Sequence, residues 1–204
     1  LRRYNIGKPL RSLIKENMNK KKLPKFREGK AVAALSRVLE MKGGKADKYW
    51  LCKVMYFIER RSLIESGQPM FFGRLFSLPY GPIVSEVNDL LKISKDSDIP
   101  LLTGKFFQIN GNIVTLLNPP DYSCLSEFDE EIIEKEFLEH QEDDFNNIAG
   151  FSHKLPEFES TDSHKKIAYE SILRSSGATE EEINETLEEI YYLGSLEATL
   201  DCAE

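Results

Sequence analysis

A mainly α-helical, compact domain with one small β-hairpin is the fold that this sequence predicts, and three observations support it. Apolar residues recur at helical spacing through most of the chain. Asn110-Gly111 separates two β-prone runs, and Asn-Gly tolerates the positive φ angles of a tight turn, so a hairpin is expected at about residues 105–117. Hydrophobic residues make up 41 % and charged residues 30 % of the 204 residues, which is typical of a globular domain that buries a core.

Charge divides the chain into a basic N-terminal arm, residues 1–30, and a single helical domain, residues 31–204. The arm has eleven Lys/Arg and two Glu, an excess of nine positive charges. Because the net charge of the whole chain is -7, the remainder carries -16 (-7 less 9). A basic arm can contact nucleic acid or an acidic partner, or it can be a solvated lead-in. The acidic body disfavours broad DNA contact and favours a basic partner.

The first two helices are placed by their apolar stripes and end signals. A stripe that starts at Ala31 predicts a helix that Gly43-Gly44 ends. The second helix is expected to start after Asp47, a plausible N-cap, and to run to about Ser66. Gly67 then supplies the residue that commonly adopts positive φ just after a helix.

Later helices have N-cap signals of their own. Ser126 is expected to cap a helix with an apolar stripe. Another helix is expected over residues 167–175. Thr179 and Glu182 have the spacing of a capping box, which predicts the start of the last helix.

The segment Leu78-Pro79-Tyr80-Gly81-Pro82 stands out by composition. Gly81 precedes a proline and is therefore pushed toward extended geometry. Pro82 is placed as helices prefer proline, in the first turn, so a short helix is expected to begin there. We expect a rigid turn with Tyr80 packed inward, and the alternative is a direct role in binding.

A second segment, Phe151-Ser152-His153-Lys154-Leu155-Pro156, is too apolar for a plain linker. Ser152 is expected to cap a short helix, and His153 to bond a buried carbonyl. The alternative is that His153 is a functional group.

Catalytic motifs are missing from the sequence. There is no phosphate-binding loop, no GxSxG elbow and no HExxH. The three histidines lack the i, i+4 spacing that places two metal ligands on one helical face, and pairing Cys124 with His153 is a combination that arises by chance in most chains. We therefore expect no enzyme activity, no catalytic residue, no metal and no cofactor.

Targeting and redox signals favour a cytoplasmic protein. The chain has no run of about 18 apolar residues, and its first residues lack the apolar core of a secretory signal. Its three cysteines are odd in number, far apart and without CxxC spacing, so reduced thiols are expected.

Four short segments carry a resemblance to a known family. Lys53-Val-Met-Tyr-Phe57, Ser66-Gly-Gln-Pro-Met70 and Tyr80-Gly-Pro-Ile-Val-Ser-Glu86 resemble the Panacea, or SocA-like, antitoxin domain. That family has a helix with a K-[LV]-[LM]-Y core, a Gly-x-Pro turn and a Y-G-P-[VI] helix start. Phe151-Ser-His-Lys-Leu-Pro-Glu-Phe158 resembles its Ser-His-x-x-Pro-x-aromatic segment. The resemblance covers about residues 31–160.

This resemblance implies a bacterial antitoxin, plasmid- or prophage-borne, that neutralises a co-encoded protein toxin by direct contact. Family members pair with unrelated toxins, and one branch acts as an adaptor that delivers its toxin to an ATP-dependent protease. The domain is regarded as non-catalytic. Many members have an acidic residue just after the K-[LV]-[LM]-Y core, and Glu59 is the candidate for that residue here. Phe158 replaces a tryptophan that many members have, which removes an indole N–H donor.

The partner-binding candidates come from these segments: Tyr56, Tyr80, Gly81, Pro82, His153, Pro156 and Phe158. The expected partners are a cognate toxin, with an ATP-dependent protease and operator DNA as further candidates, and no membrane. The first alternative function is a nucleic-acid-binding regulator that uses the basic arm. The second is a cryptic hydrolase that uses His153 with a nearby carboxylate, which requires polar groups that converge in one pocket.

Overall fold

The computed structural model describes residues 21–92 and 103–201 of the chain. Within these residues there are eight helices and two three-stranded antiparallel sheets. The helices are α1 (Glu28–Met41), α2 (Lys48–Ser66), α3 (Ser85–Leu90), α4 (Thr103–Phe106), α5 (Glu127–His140), α6 (Phe145–Ser152), α7 (Tyr169–Ser175) and α8 (Glu180–Asp201). The strands are β1 (Lys45–Asp47), β2 (Leu75–Leu78), β3 (Gly81–Val84), β4 (Phe107–Asn110), β5 (Ile113–Leu116) and β6 (Lys165–Ile167).

The chain separates into two compact units. The larger comprises residues 26–177 and contains the elements from α1 to α7. The smaller contains α8 together with residues 21–25. The division into an arm over residues 1–30 and a domain over residues 31–204 stays a prediction, and most of the arm lies outside the described residues.

Helix ends lie where local signals place them. The Asp47 carboxylate accepts hydrogen bonds from the backbone N–H groups of Tyr49 and Trp50, and Gly67 ends α2 with a φ of 73°. Ser126 and Asp129 form a reciprocal capping box at the start of α5. These contacts confirm the predicted N-caps and the predicted end of α2, because each satisfies backbone groups that a helix leaves unpaired at its ends.

Helix α2 is the central element of the larger unit. It packs against α1, α5, α6, α7 and β3, and every residue from Trp50 to Glu59 is buried. An apolar stripe on one face was expected for this helix, whereas other elements surround its middle on all sides. A helix enclosed in this way must also bury polar groups, and Lys53 and Glu59 are two of them.

The predicted Asn-Gly hairpin is confirmed. Strands β4 and β5 pair in antiparallel register with Asn110 opposite Ile113, and Gly111 has a φ of 60°. Strand β1 adds to the outer side of β5, so the hairpin belongs to a three-stranded sheet that leads directly into α2.

The prediction of a single hairpin is wrong, because β2 and β3 form a second one with Leu78 opposite Gly81. Pro82 does not start a helix but lies in β3, and the following helix begins at Ser85. Strand β3 is at the edge of the sheet, whose order is β3-β2-β6. An edge strand tolerates proline because one of its sides needs no ladder hydrogen bond.

Of the last two predicted helix starts, one lies two residues later in the structure and the other is confirmed. Ile167 belongs to β6 and pairs with Leu75 of β2. The helix expected over residues 167–175 therefore begins at Tyr169 instead. Thr179 and Glu182 exchange capping hydrogen bonds at the start of α8, as their spacing predicts.

Candidate functional site

The turn between β2 and β3 is fixed by close packing at Gly81. This residue has a φ of 97°. A Cβ added there would overlap the Ser152 hydroxyl and lie 2.9 Å from Nζ of Lys53 and 3.1 Å from Cδ2 of His153. The family-like segments around Lys53, Gly81 and His153 therefore meet at one point, and a side chain at Gly81 does not fit there.

A buried lysine ties α2 to this hairpin. Nζ of Lys53 donates a 2.8 Å hydrogen bond to the backbone carbonyl of Pro82. Burial lowers the pKa of Lys53 to about 8, because a desolvated ammonium is less stable than a solvated one. Pro82 itself is buried, so its carbonyl needs this donor.

Tyr56 and Glu157 join α2 to the segment that follows α6. The Tyr56 hydroxyl donates to the Glu157 carboxylate at 3.1 Å, and that carboxylate also accepts from Arg60 at 2.6 Å and from the Ser175 hydroxyl at 3.0 Å. Burial raises the pKa of Tyr56, and the adjacent Glu157 charge adds to the effect. Tyr56 is fully buried, so its side chain supports the fold and lies away from any surface that a partner can reach.

Glu59 organises the loop before β2. Its two carboxylate oxygens accept hydrogen bonds from the backbone N–H groups of Phe71, at 2.7 Å, and Gly73, at 2.9 Å. Complete burial raises the pKa of Glu59 to about 7, although the backbone donors act in the opposite direction. The acidic residue near the helix core thus serves as a loop anchor, which explains why a charged group stands in the middle of α2.

The segment after α6 presents a different surface. The His153 and Phe158 rings stack at a centroid distance of 4.6 Å and an interplanar angle of 1°. His153 and Pro156 are exposed, and Phe158 is half-buried.

Ser152 is the last residue of α6 and not the cap of a following helix. Its hydroxyl bonds the Ala149 carbonyl, so the expected cap is wrong. The expected bond between His153 and a buried carbonyl is likewise absent from the described contacts, since its ring is exposed and stacks on Phe158.

Three aromatic side chains line an open groove close to the β2–β3 turn. Tyr80 is 71 % exposed and Tyr49 is 43 % exposed. The Phe145 ring lies between them, with its centroid 6.3 Å from that of Tyr80 and 5.7 Å from that of Tyr49. With Asp47 and Asn112 these residues enclose about 560 Å³, and we call this feature the aromatic groove. The expectation that Tyr80 packs inward is wrong, because the turn projects its ring to the surface.

A second, smaller hollow of about 300 Å³ lies over α2 and α5. Its wall contains Glu136, Glu139 and His140, whose potential ligand atoms lie within 4.8 Å of one another. Arg61 already forms ion pairs with Glu136 and with Glu139, the latter at 2.6 Å. Because the guanidinium neutralises these carboxylates, the cluster is best explained as an ion-pair network between two helices.

The structure thus divides the seven candidate binding residues into two groups. Tyr56, Gly81 and Pro82 are buried, while Tyr80, His153, Pro156 and, in part, Phe158 are accessible. Gly81 and His153 lie together.

Sequence reasoning missed Tyr49 and Phe145. The available signal is an aromatic residue in the first turn after an Asp N-cap, since Asp47 precedes Tyr49 and Asp144 precedes Phe145. Aromatic side chains at such solvated helix ends are exposed unless another element covers them, and exposed aromatics are typical of binding surfaces.

No helix within the described ranges is both long and apolar enough to span a membrane.

One family model matches this chain. It is described as "Antitoxin SocA-like, Panacea domain" and covers residues 51–159, which is 109 of the 204 residues. The match extends from the first turns of α2 to the segment just after Phe158, so it includes the β2–β3 turn and all of α6. The chain matches none of the curated proteins and none of the solved structures.

Proposed function

This chain belongs to the SocA-like antitoxin family with a Panacea domain, and we propose on that premise that it neutralises a co-encoded bacterial toxin by binding it directly. The observation that supports a direct binding role is the aromatic groove. Tyr80 in the β2–β3 turn and Tyr49 on α2 are exposed, and Phe145 on α6 is half-buried beside them. Tyrosine is among the residues that contribute most to protein–protein affinity.

In this proposal, the buried residues of the family-like segments hold the binding surface in place. Lys53 bonds the carbonyl of Pro82, and the close packing at Gly81 fixes the turn that carries Tyr80. A ring that is held before the partner arrives loses less conformational entropy on binding than a mobile one. We propose that the toxin docks on the groove and on the neighbouring surface from His153 to Phe158, which would block its substrate site or hold it inactive.

The proposal includes no catalytic step. The described polar clusters each have partners that account for them: Glu157 is bonded by Tyr56, Arg60 and Ser175, and Glu136 is paired with Arg61. The hydrolase alternative requires His153 beside a carboxylate, whereas its described ring contact is with Phe158. A cytoplasmic location remains a prediction from the targeting and cysteine signals of the sequence. Delivery of the toxin to an ATP-dependent protease remains a prediction from the resemblance.

Operator DNA as a partner of the basic arm also remains a prediction. In the smaller unit, the backbone N–H of Lys25 donates to Glu197 at 2.8 Å, and Nζ of Lys21 lies 5.9 Å from the Tyr191 ring centroid. The residues from Glu180 to Asp201 include eight acidic residues and no lysine or arginine. Residues 21–25 of the arm thus lie against an acidic helix, which supports a DNA-binding role less than it supports toxin binding.

Growth rescue tests the proposed function. The gene adjacent to the one for this chain is expressed alone, then with the wild-type chain, and then with the double variant Tyr80→Ala/Phe145→Ala. We expect toxicity that the wild type relieves, a complex that co-purifies, and loss of both with the double variant. Leu138→Ala is the matched control, because Leu138 is 54 % exposed on α5 and does not line the groove. A neighbouring product that is harmless and forms no complex would contradict the proposal.

A further inference from the structure

We infer that the aromatic groove is a receptor for a basic side chain of the protein partner, an arginine above all. This inference rests on the proposed function, since it names the chemistry by which the toxin is recognised. It follows from the composition of the groove, from the fixed position of its carboxylate and from the charge of the residues that flank it.

The lining of the groove combines aromatic faces with a carboxylate. Tyr49, Tyr80 and Phe145 supply three rings, and Asp47 is the charged residue among the five that line it. Aromatic faces attract cations through their quadrupole, and a planar guanidinium stacks on such rings while its N–H groups remain free to bond a carboxylate. A purely apolar partner side chain would bring no hydrogen-bond donor to the oxygen of Asp47 that the helix cap leaves unused.

The Asp47 carboxylate is held in place before any ligand arrives. Its Oδ1 accepts hydrogen bonds from the N–H of Tyr49, at 2.8 Å, and from that of Trp50, at 3.1 Å. Oδ2 is bonded by no side chain or backbone group in the described part of the chain. An arginine that enters the groove can therefore use an oxygen whose position is already fixed by the helix cap, which lowers the entropy cost of the contact.

Flanking charge agrees with a cationic ligand. Glu142, Asp143 and Asp144 directly precede Phe145 in the chain. Asp144 uses Oδ1 to cap α6 at the N–H of Asn147. This acidic run therefore leads into the groove wall, where its charge raises the local concentration of basic ligands.

The chain already shows one cation on this surface. Nζ of Lys48 lies 4.9 Å from the Tyr49 ring centroid. An ammonium group therefore already lies over the Tyr49 ring, and it competes with a ligand for that ring. Removing its charge should strengthen the binding of an external arginine, a gain that damage to the fold cannot produce.

The probe is N-acetyl-arginine amide, titrated into the isotope-labelled full chain and followed by amide chemical shifts. We expect saturable shifts at residues 47–49, 80, 112 and 145, with a dissociation constant on the order of 1–10 mM for so small a ligand. The citrulline analogue, which has nearly the same shape and no charge, should bind at least about threefold more weakly, as expected when a cation–π contact and an ion pair are lost.

Three variants and one control give the inference its test. Asp47→Asn keeps the helix cap and removes the charge, and Tyr80→Ala removes a ring; each should weaken arginine binding about two- to fivefold. Lys48→Met should strengthen it by a similar factor, and Leu138→Ala should change nothing. Equal binding of citrulline amide, shifts spread over other surfaces, or no effect of Asp47→Asn would overturn the inference.

The two proposals can fail separately. If growth rescue works and depends on Tyr80 and Phe145, while the groove shows no preference for arginine over citrulline, the inference is wrong and the proposed function stands. If the groove binds arginine with the expected preference but the neighbouring product is not toxic, the cation site stands and the proposed function is wrong.

Discussion

The α-carbon of Gly81 faces the side chain of Ser152 so closely that a Cβ on Gly81 would overlap the serine hydroxyl. Gly81 also has a φ of 97°, in the region that residues with a side chain rarely adopt. We expect Gly81→Ala to lower the free energy of unfolding by about 2 kcal/mol or more, since it combines backbone strain with a steric overlap. Urea denaturation measures this change.

Two comparisons make that prediction specific. Ser152→Ala in the Gly81→Ala background should recover part of the loss, because it removes the overlapping hydroxyl and leaves the strain. Gly150→Ala is the matched control. Gly150 lies on α6, the helix that carries Ser152, and a new Cβ there would meet nothing within 4 Å. This substitution should stabilise the protein by roughly 0.5–1 kcal/mol. A Gly81→Ala protein as stable as the wild type would contradict the packing described at this turn.

Glu59 is expected to make stability depend on pH. Its pKa is about 7 in the folded protein, against a usual value of 4.5. Between these two values the folded state binds more protons than the unfolded state, so the free energy of unfolding falls as pH rises through this window, by at most about 1.4 kcal/mol per pH unit from this group.

Comparison with Glu59→Gln isolates this contribution, because every other titrating group is retained. The variant should lack the part of the negative slope between pH 4.5 and 7 that Glu59 contributes. It should also be less stable than the wild type at pH 5, by about 1–3 kcal/mol, since an amide NH₂ would face one of the N–H groups of Phe71 and Gly73. Identical pH profiles for the two proteins would show that Glu59 does not titrate in this range.

Tyr56 and Tyr80 are expected to separate stability from binding. Tyr56→Phe removes the hydroxyl that donates to Glu157 and should cost about 1–2 kcal/mol of stability while leaving toxin binding intact. Tyr80→Phe should change stability by less than about 0.5 kcal/mol, because this ring is 71 % exposed. Thermal unfolding and the affinity for the toxin are measured on the same samples. A loss of affinity with Tyr56→Phe at temperatures where the protein is folded would show that Tyr56 has more than a structural part.

Gly194 is expected to control the packing of residues 22–24 within the smaller unit. A Cβ at Gly194 would lie 2.6 Å from the carbonyl carbon of Leu23 and 2.8 Å from the nitrogen of Pro24. Because backbone atoms cannot move aside as a flexible side chain does, Gly194→Ala should detach this segment from α8. Cleavage after Lys21 and Lys22 by a lysine-specific protease should become faster, whereas Gly150→Ala should leave its rate unchanged.

Local signals in the sequence were enough for the helix ends and for one hairpin. The caps formed by Asp47 and Ser126, and the capping box of Thr179, join groups two or three residues apart. Asn110-Gly111 likewise selects its turn by backbone preference alone. These features could be predicted because the interactions that create them lie within one short window of the chain.

The second sheet and the groove depend on contacts that no such window contains. Strand β2 pairs with β6, which brings Leu75 opposite Ile167, and this pairing leaves Pro82 on an edge strand and not in a helix. Tyr49 and Phe145 are 96 positions apart and meet because α2 and α6 pack together. Each looks like an ordinary apolar residue in isolation, so the groove could not be predicted from spacing.

The burial of α2 from Trp50 to Glu59 has a consequence for how this lineage can change. Substitutions inside that stretch are expected to lower the stability of the fold, because the stretch has no exposed position. Tyr49 lies just outside it, and Tyr80 and Phe145 belong to elements that meet solvent. Partner preference can therefore diverge by a few surface replacements while the inherited scaffold stays the same.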